Sequence, residues 1–563
     1  MIGESAEACG ALMRKVAAPK RVTQEVNLGP QTEELRGVSP LRLRLEPSPY
    51  FALLRDFLRS SDFYEPPICR RVGITGLNKF LAADRMRGIL SGESDRLAVL
   101  ISLFLLGESL EAKVLESAIP AGAVEAMKEL GLLIRDPTDF APPLAPLPNR
   151  GGETVAGEPT DICASVALYP VGELFIASDR WTVTQGDDGE LWEDFVIPAI
   201  SPNSSQFVAT LPQEPCESCL DLCSGTGVAA LDAARRGSHA SWAVDITERS
   251  TQMAEFNRLL NGLDNVRTMQ GDLYDCVGDL TFDRIVAHPP YMPVLRRAQA
   301  FYDGGVDGEH VTRSIVIGLP RHLSPGGRFY CLTQGSDREG APFEKRVRDW
   351  LGEAESEFDA LFIVRQDQAP RDAALQYAVK SKGGVVAVQQ MREGLKELGV
   401  QNMTYGSLII QRRNEARPVF TARRTVGRNS TRKEIAWLLK WETAAVKPEF
   451  IDRLADAHPV ATPYLEMHTV HRMKDGELQP EEFKLHTDYP FEVECRVQPW
   501  VGFLLPQCDA KSSMRELLEF CKRNNFVHVE TPLPAFIKLL AVFISAGFLE
   551  VEEFRLPEGA AGR

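Results

Sequence analysis

Four short stretches hold residue types that could do chemistry together. The first is Cys219-Leu220-Asp221-Leu222-Cys223-Ser224-Gly225-Thr226-Gly227. An apolar run enters a loop of small residues, where Gly225 and Gly227 allow close backbone approach to a ligand and positive φ. A helix beginning after the loop offers unpaired N–H groups. Turns of this kind are common between strand and helix, and a dinucleotide site is a rival reading. The second stretch is Asp245-Ile246, where a carboxylate at a strand end can accept both hydroxyls of a ribose. The third is Gly271-Asp272-Leu273, where Asp272 can accept from an adenine amino group. The fourth is Ala287-His288-Pro289-Pro290-Tyr291. A nicotinamide enzyme has no use for such a strand end, whereas an enzyme acting on a planar nitrogen has. Consecutive prolines stiffen the loop and expose its carbonyls.

These stretches need a frame. From Ser218 the pattern alternates strand and helix. Strands are predicted at 219–222, 241–244, 266–269, 282–287 and 328–333, with helices at 228–236, 248–260 and 310–323, the last interrupted by Pro320. Repeated βα units build a mostly parallel sheet covered on both faces. Residues 358–364 and 405–411 would close it as a hairpin pair around a helical insertion near 386–398. Residues 49–136 show helical periodicity, with Val124, Met127, Leu130 and Leu132 on one stripe. Five prolines and two glycines between Pro137 and Gly152 predict a linker over 137–160. Residues 1–48 have no hydrophobic block and read as a flexible tail. From Arg412 to Lys433 there are eight basic residues and one acid, so 414–440 reads as a basic linker. Beyond it, Asp475-Gly476 marks a hairpin turn between two strands, and 513–523 and 533–546 read as helices before a terminal strand.

The catalytic-looking stretches resemble a class I S-adenosylmethionine (SAM) methyltransferase of the Asn-Pro-Pro-Tyr type. That group includes HemK-type glutamine methyltransferases and small-domain ribosomal RNA guanine methyltransferases. Phe301-Tyr302-Asp303-Gly304-Gly305-Val306-Asp307-Gly308 is similar to the segment following the Pro-Pro motif in the HemK type, and Ser324-Pro325-Gly326-Gly327 to the turn before the fifth strand. The resemblance spans about 162–413, less than half the chain. It implies an α/β fold with a Rossmann-like seven-stranded sheet over 161–413. A helical, winged-helix-like domain over 49–136 and a winged-helix-like α+β domain over 441–563 would flank it. It implies SAM as cofactor, held by Asp221, Cys223, Gly225, Gly227, Asp245, Ile246, Asp272 and Leu273. His288, Pro289, Pro290 and Tyr291 would face the acceptor nitrogen. In the family an Asn side chain and the first Pro carbonyl take the acceptor N–H groups, and the aromatic ring stacks on the planar group. Here His288 stands in place of that Asn, and Cys223 replaces a glycine, a small-for-small change the loop should tolerate. A catalytic neutral imidazole of ordinary pKa predicts activity falling below about pH 6.5.

The Asp303–Gly308 segment favours a protein side-chain amide, glutamine above all, as acceptor. An exocyclic amino group of rRNA, tRNA or DNA, contacted through Arg412–Lys433 with Trp437 and Trp441, is the alternative. A third reading is a non-catalytic SAM-binding interaction protein. The basic run reads equally as a solvated segment pairing with the acidic remainder, because 63 Lys+Arg against 78 Asp+Glu give a net charge of −15. No metal site is expected. Cys216, Cys219 and Cys223 lack a fourth ligand, and His468-x₂-His471 reads as a solvated strand. The absence of a spanning apolar stretch and the scattered eleven cysteines predict a cytoplasmic protein without membrane contact.

Overall fold

The computed structural model describes residues 41–85, 88–135, 161–181, 193–294, 300–380, 384–427 and 430–557. The expected linker at 137–160 and residues 1–40 of the expected tail lie outside them.

The core is one mixed sheet. Its strands in chain order are β1 (Ser218–Leu222), β2 (Ala240–Asp245), β3 (Val266–Gln270), β4 (Phe282–Ala287), β5 (Leu323–Arg338), β6 (Phe358–Gln368), β7 (Val400–Arg412) and β8 (Thr421–Thr425). The spatial order is β8-β6-β7-β5-β4-β1-β2-β3. β7 runs antiparallel to both neighbours and every other pair is parallel. The sheet order reverses beside β1 and β4, so the loops after β1, β2 and β4 open into one crevice. Ligands of open α/β sheets bind at such a place.

The sheet therefore has eight strands, one more than the seven expected. The eighth, β8, falls in the segment read from sequence as a basic linker, and so does most of a helix, Arg432–Ala445. That linker expectation is corrected. The helix opens on a capping box between Thr431 and Glu434 and buries Ile435, Trp437, Leu438 and Trp441. These side chains join Leu361, Ile363 and Ile409 of the sheet in one cluster. Aromatic residues at helical spacing are here a core face.

Both faces of the sheet are covered, which suits strands that are apolar on both sides. Helices α1 (Val228–Arg235) and α2 (Glu248–Asn261) follow β1 and β2, and α3 (His310–His322) precedes β5. Residues 41–135 are mainly helical, with Leu110–Glu111, Asp161–Ala164 and Leu133–Ile134 as a small sheet. Their core includes Leu54, Leu58, Phe104 and Met127. It is continuous with Met253, Phe256 and Leu260 on the outer face of α2. The C-terminal part carries β9 (Glu466–Lys474), β10 (Glu477–Thr487) and β11 (Val493–Val497) as an antiparallel sheet. Its Asp475-Gly476 turn has φ of 51° and 85°, the two positive values of a type I′ hairpin. No helix among the described residues is long and apolar enough to cross a membrane.

Candidate active site

The crevice holds a cavity of about 600 Å³. Eleven of the twelve residues singled out from sequence lie on its wall: Asp221, Cys223, Gly225, Asp245, Ile246, Asp272, Leu273, His288, Pro289, Pro290 and Tyr291. Gly227 does not. A Cβ there would stand 2.9 Å from that of Ala254 on α2, so this glycine serves helix packing. Gly225 differs. Nothing lies within 4 Å of a Cβ built on it, so its bare backbone leaves room on the cavity side.

The loop after β1 is held by two carboxylates. Asp221 is buried, and its Oδ2 accepts from the N–H of Ala230 in the first turn of α1 at 3.2 Å. Burial raises its pKa to about 8. Asp221 therefore shapes the helix start as well as lining the cavity. Asp245 accepts from Gly225 N at 2.9 Å through Oδ2 and from Thr247 N at 3.0 Å through Oδ1. Oδ1 also accepts from the Thr247 hydroxyl at 3.2 Å, so Oδ2 is the oxygen that keeps a lone pair for a ligand hydroxyl; burial raises this pKa as well. Cys223 has φ 55°, the left-handed region that glycine enters freely, so the small-for-small change carries backbone strain.

At the other end stand aromatic rings. His288 is stacked between Phe207 (centroids 5.4 Å apart) and Tyr291 (5.9 Å), and Tyr291 meets Tyr405 at 5.5 Å. Asn203 donates to the Tyr291 hydroxyl at 2.6 Å, and Tyr405 donates to Gln206 at 3.3 Å. His288 Nε2 is buried without a hydrogen-bond partner. Burial drops the His288 pKa to about 4 and lifts that of Tyr291 to about 12. The imidazole is thus neutral well below pH 6.5, which corrects the pH dependence expected from an ordinary histidine.

The Asp303–Gly308 segment is the brace of this loop. A Cβ at Gly304 would fall 2.8 Å from the carbonyl carbon of Tyr291, and one at Gly308 would fall 2.6 Å from its oxygen. Only glycine lets the two backbones lie so close. Below it Glu309 is fully buried. Its carboxylate takes Arg346 at 2.5 and 2.6 Å, Ser336 N at 2.7 Å and Arg338 at 3.3 Å. Asp307 takes Arg313 and Arg338, at 2.6 and 2.9 Å.

The acidic residues on the cavity wall are Glu193, Asp194, Asp221, Asp245, Asp272 and Asp303, with no lysine or arginine among the described lining; Asp221, raised to about 8, is largely protonated at neutral pH. The pyrophosphate of a dinucleotide would be repelled there, while a cation would be attracted. This lining weighs against a dinucleotide at the glycine loop.

The basic run is occupied internally. Arg412 pairs with Glu357, Arg417 with Asp359, Arg423 with Asp337 and Glu344, and Arg424 with Glu442. Arg432 donates to the Ala209 carbonyl at 3.1 Å. Arg413 donates to the Ser356 carbonyl and Lys433 is exposed, so most of the described cations of 412–433 are engaged within the chain, which weakens the expectation of nucleic-acid contact there; Arg428 lies outside the described residues.

Sequence reasoning missed Asn203, Gln206, Phe207 and Tyr405. Only Ser201-Pro202, an N-cap followed by proline at the helix start, signalled that a helix begins where the first three sit.

Comparison with known proteins agrees with this geometry. Residues 195–350 match the model of the methyltransferase small domain, and residues 77–142 match a domain of unknown function (DUF7059). The ribosomal protein uL3 glutamine methyltransferase of Bradyrhizobium diazoefficiens is 35% identical over 164 residues, 27% of this chain and 51% of that one. The release factor glutamine methyltransferase of Gloeobacter violaceus is 31% identical over 159 residues, 24% of this chain and 56% of that one. The chain thus spans about half the length of these relatives. The ribosomal protein uL3 glutamine methyltransferase of Bordetella pertussis is 31% identical over 223 residues, 36% of this chain and 70% of that relative. With this much of one relative covered at this identity, and with the small-domain match falling on the cavity just described, the protein belongs to the HemK-type class I methyltransferase family.

Proposed function

We propose that the protein is a SAM-dependent N-methyltransferase whose acceptor is the side-chain amide of a protein glutamine. The observation that carries the cofactor is the wall of acidic residues with no lysine or arginine among the described lining, at a glycine loop that leaves its backbone bare. Asp245 would take the ribose hydroxyls and Asp272 the adenine amino group. Gly225 and Cys223 supply backbone, and Ile246 and Leu273 apolar surface. SAM, when bound, supplies an electrophilic methyl on a cationic sulfur. The protein's part is positioning. An amide nitrogen is a poor nucleophile because its lone pair is delocalised, and acceptors around its N–H groups pull that pair out of conjugation. The unpartnered Nε2 of His288 and the Pro289 carbonyl fit those roles. Pro290 stiffens the loop, and Tyr291, held by Asn203, offers a face for the planar group.

Glutamine is favoured over a nucleobase for two reasons. The named relatives are glutamine methyltransferases, and Arg412, Arg417, Arg423 and Arg424 are spent on internal carboxylates. The reading carries with it a cytoplasmic location and winged-helix-like flanks. The latter is supported by helices Met514–Arg523 and Leu533–Ser545 followed by pairing of Leu549–Glu550 with Val460–Ala461. The test is incubation with methyl-tritiated SAM and a methylation-naive extract, with Asp245→Ala as blank. Protease-sensitive, acid-insoluble label is expected. Nuclease-sensitive label would transfer the acceptor to nucleic acid, and SAM binding without any transfer would leave a binding protein.

A further inference from the structure

A second cluster of chemically competent side chains lies far along the chain from the cavity-lining residues, at the base of the β9–β10 hairpin. In register, Glu466 faces His486 and His486 faces Glu494, while His468 stands two residues along β9 from Glu466. Cross-strand partners and i, i+2 neighbours share a face of a sheet. Glu466 Oε2 accepts from His468 Nε2 at 2.9 Å and stands 3.6 Å from His486 Nδ1. One donor atom from each of the three lies within 4.8 Å of the others. The two imidazoles stack with centroids 5.6 Å apart.

Two further observations point to a ligand. His486 Nδ1 is buried without a hydrogen-bond partner, on the side where Glu466 approaches. The cations of the same face are occupied elsewhere: Lys484 on Glu494 at 2.9 Å and Arg496 on Glu482. Glu466 has no lysine or arginine partner among the described residues and pairs only with the imidazoles. From these observations we infer that Glu466, His468 and His486 form a site for a divalent transition metal of the zinc class. Two nitrogens and one carboxylate with an open fourth position are a zinc ligand set, and imidazole disfavours magnesium and calcium. Bond lengths of about 2.0–2.1 Å in a tetrahedron place ligand atoms about 3.3 Å apart, between the 2.9 and 3.6 Å observed here. The second imidazole comes from the facing strand, which is why His468-x₂-His471 reads from sequence as an incomplete pair. A bound ion would tie the base of β9, whose residues are all exposed, to the central strand β10.

The test is titration of the full-length protein with zinc chloride against a chromogenic chelator, alongside hydrogen exchange of residues 466–474. One equivalent is expected to bind and to slow exchange in that strand. His468→Ala, His486→Ala and Glu466→Gln should each weaken that equivalent about tenfold or more, while His471→Ala leaves it unchanged. The absence of saturable uptake would overturn the site. So would uptake retained by His468→Ala and His486→Ala, or lost equally in His471→Ala.

Discussion

Gly308→Ala tests whether the Asp303–Gly308 segment sets the position of the acceptor loop. Gly308 has φ 74°, and an added Cβ would lie 2.6 Å from the Tyr291 carbonyl oxygen and 3.2 Å from Pro293. Ordinary van der Waals contact begins at 3.4 Å, so the two backbones must part by the difference, about 0.8 Å. The left-handed conformation adds about 1–2 kcal/mol for any L-residue. A misplacement of about 1 Å at a reacting centre lowers rate by about a hundredfold. A shift of about 0.8 Å should therefore lower kcat roughly 30- to 100-fold, or about 2–2.7 kcal/mol in the barrier. SAM affinity should stay within about twofold, because Gly225 and Asp245 lie at the other end of the cavity. The assay pairs calorimetric SAM binding with single-turnover methyl transfer. Gly172→Ala is the control: its φ is 58°, and nothing lies within 4 Å of its Cβ position, so it carries the conformational strain without the collision. Activity of Gly308→Ala within about twofold of wild type, or an equal loss in Gly172→Ala, would refute the bracing argument.

Acidification should leave methyl transfer flat to about pH 5 and lower it toward pH 4, because burial drops the His288 pKa to about 4. Stability follows the same sign: the neutral buried ring contributes fully above about pH 6.5, the unfolded value, and this is lost as pH falls toward 4. A rate profile with its midpoint near 6.5 would contradict a buried His288. Asn257→Ala should lower stability by about 3 kcal/mol in urea melts, because it strips hydrogen bonds from groups that remain buried. Its amide bonds Ala177 N at 2.7 Å and the carbonyls of Ala177 and Thr226 at 3.0 Å each, joining the 174–178 strand to the glycine loop. A loss under about 0.5 kcal/mol would show those groups find water instead. Glu309→Ala should cost about 3 kcal/mol, the lower end for a broken buried pair, because the largely buried Arg346 loses its carboxylate and keeps only the Ser336 oxygens; an unchanged melt would mean the arginine relaxes into solvent.

The site was legible in the sequence where chemistry restricts residue type at a strand end. Asp221 and Asp245 lie at the ends of β1 and β2, and Asp272 and the His288–Tyr291 run just beyond β3 and β4, so local pattern brought all of them to the cavity wall. What surrounds them was not legible, because it is built from contacts between distant parts of the chain. Phe207 and Tyr405 reach the His288–Tyr291 pair from a helix before β1 and from β7, and no local periodicity marks them. The eighth strand escaped for a different reason. Thr421-Ala422-Arg423-Arg424-Thr425 reads as solvated because arginine usually signals surface. Here β8 is an edge strand whose arginines find Asp337, Glu344 and Glu442 on neighbouring elements. Burial of the His288 ring, which decides its protonation, likewise depends on those distant walls.

The distribution of charge links the basic segment to the cavity. An acidic chain could place its arginines on an open face and attract polyanions, or spend them on its own carboxylates. The 412–433 run does the second, fastening β8 and the helix after it to the sheet. Meanwhile six acidic side chains remain on the cavity wall with no lysine or arginine among the described lining. Burial raises the pKa values of Asp194, Asp221 and Asp245, and a ligand of positive charge would favour their ionised forms. A neutral His288 beside such a ligand adds no repulsion, whereas a protonated one would oppose it. On the proposed function, the burial that lowers its pKa would serve cofactor binding and acceptor polarisation alike.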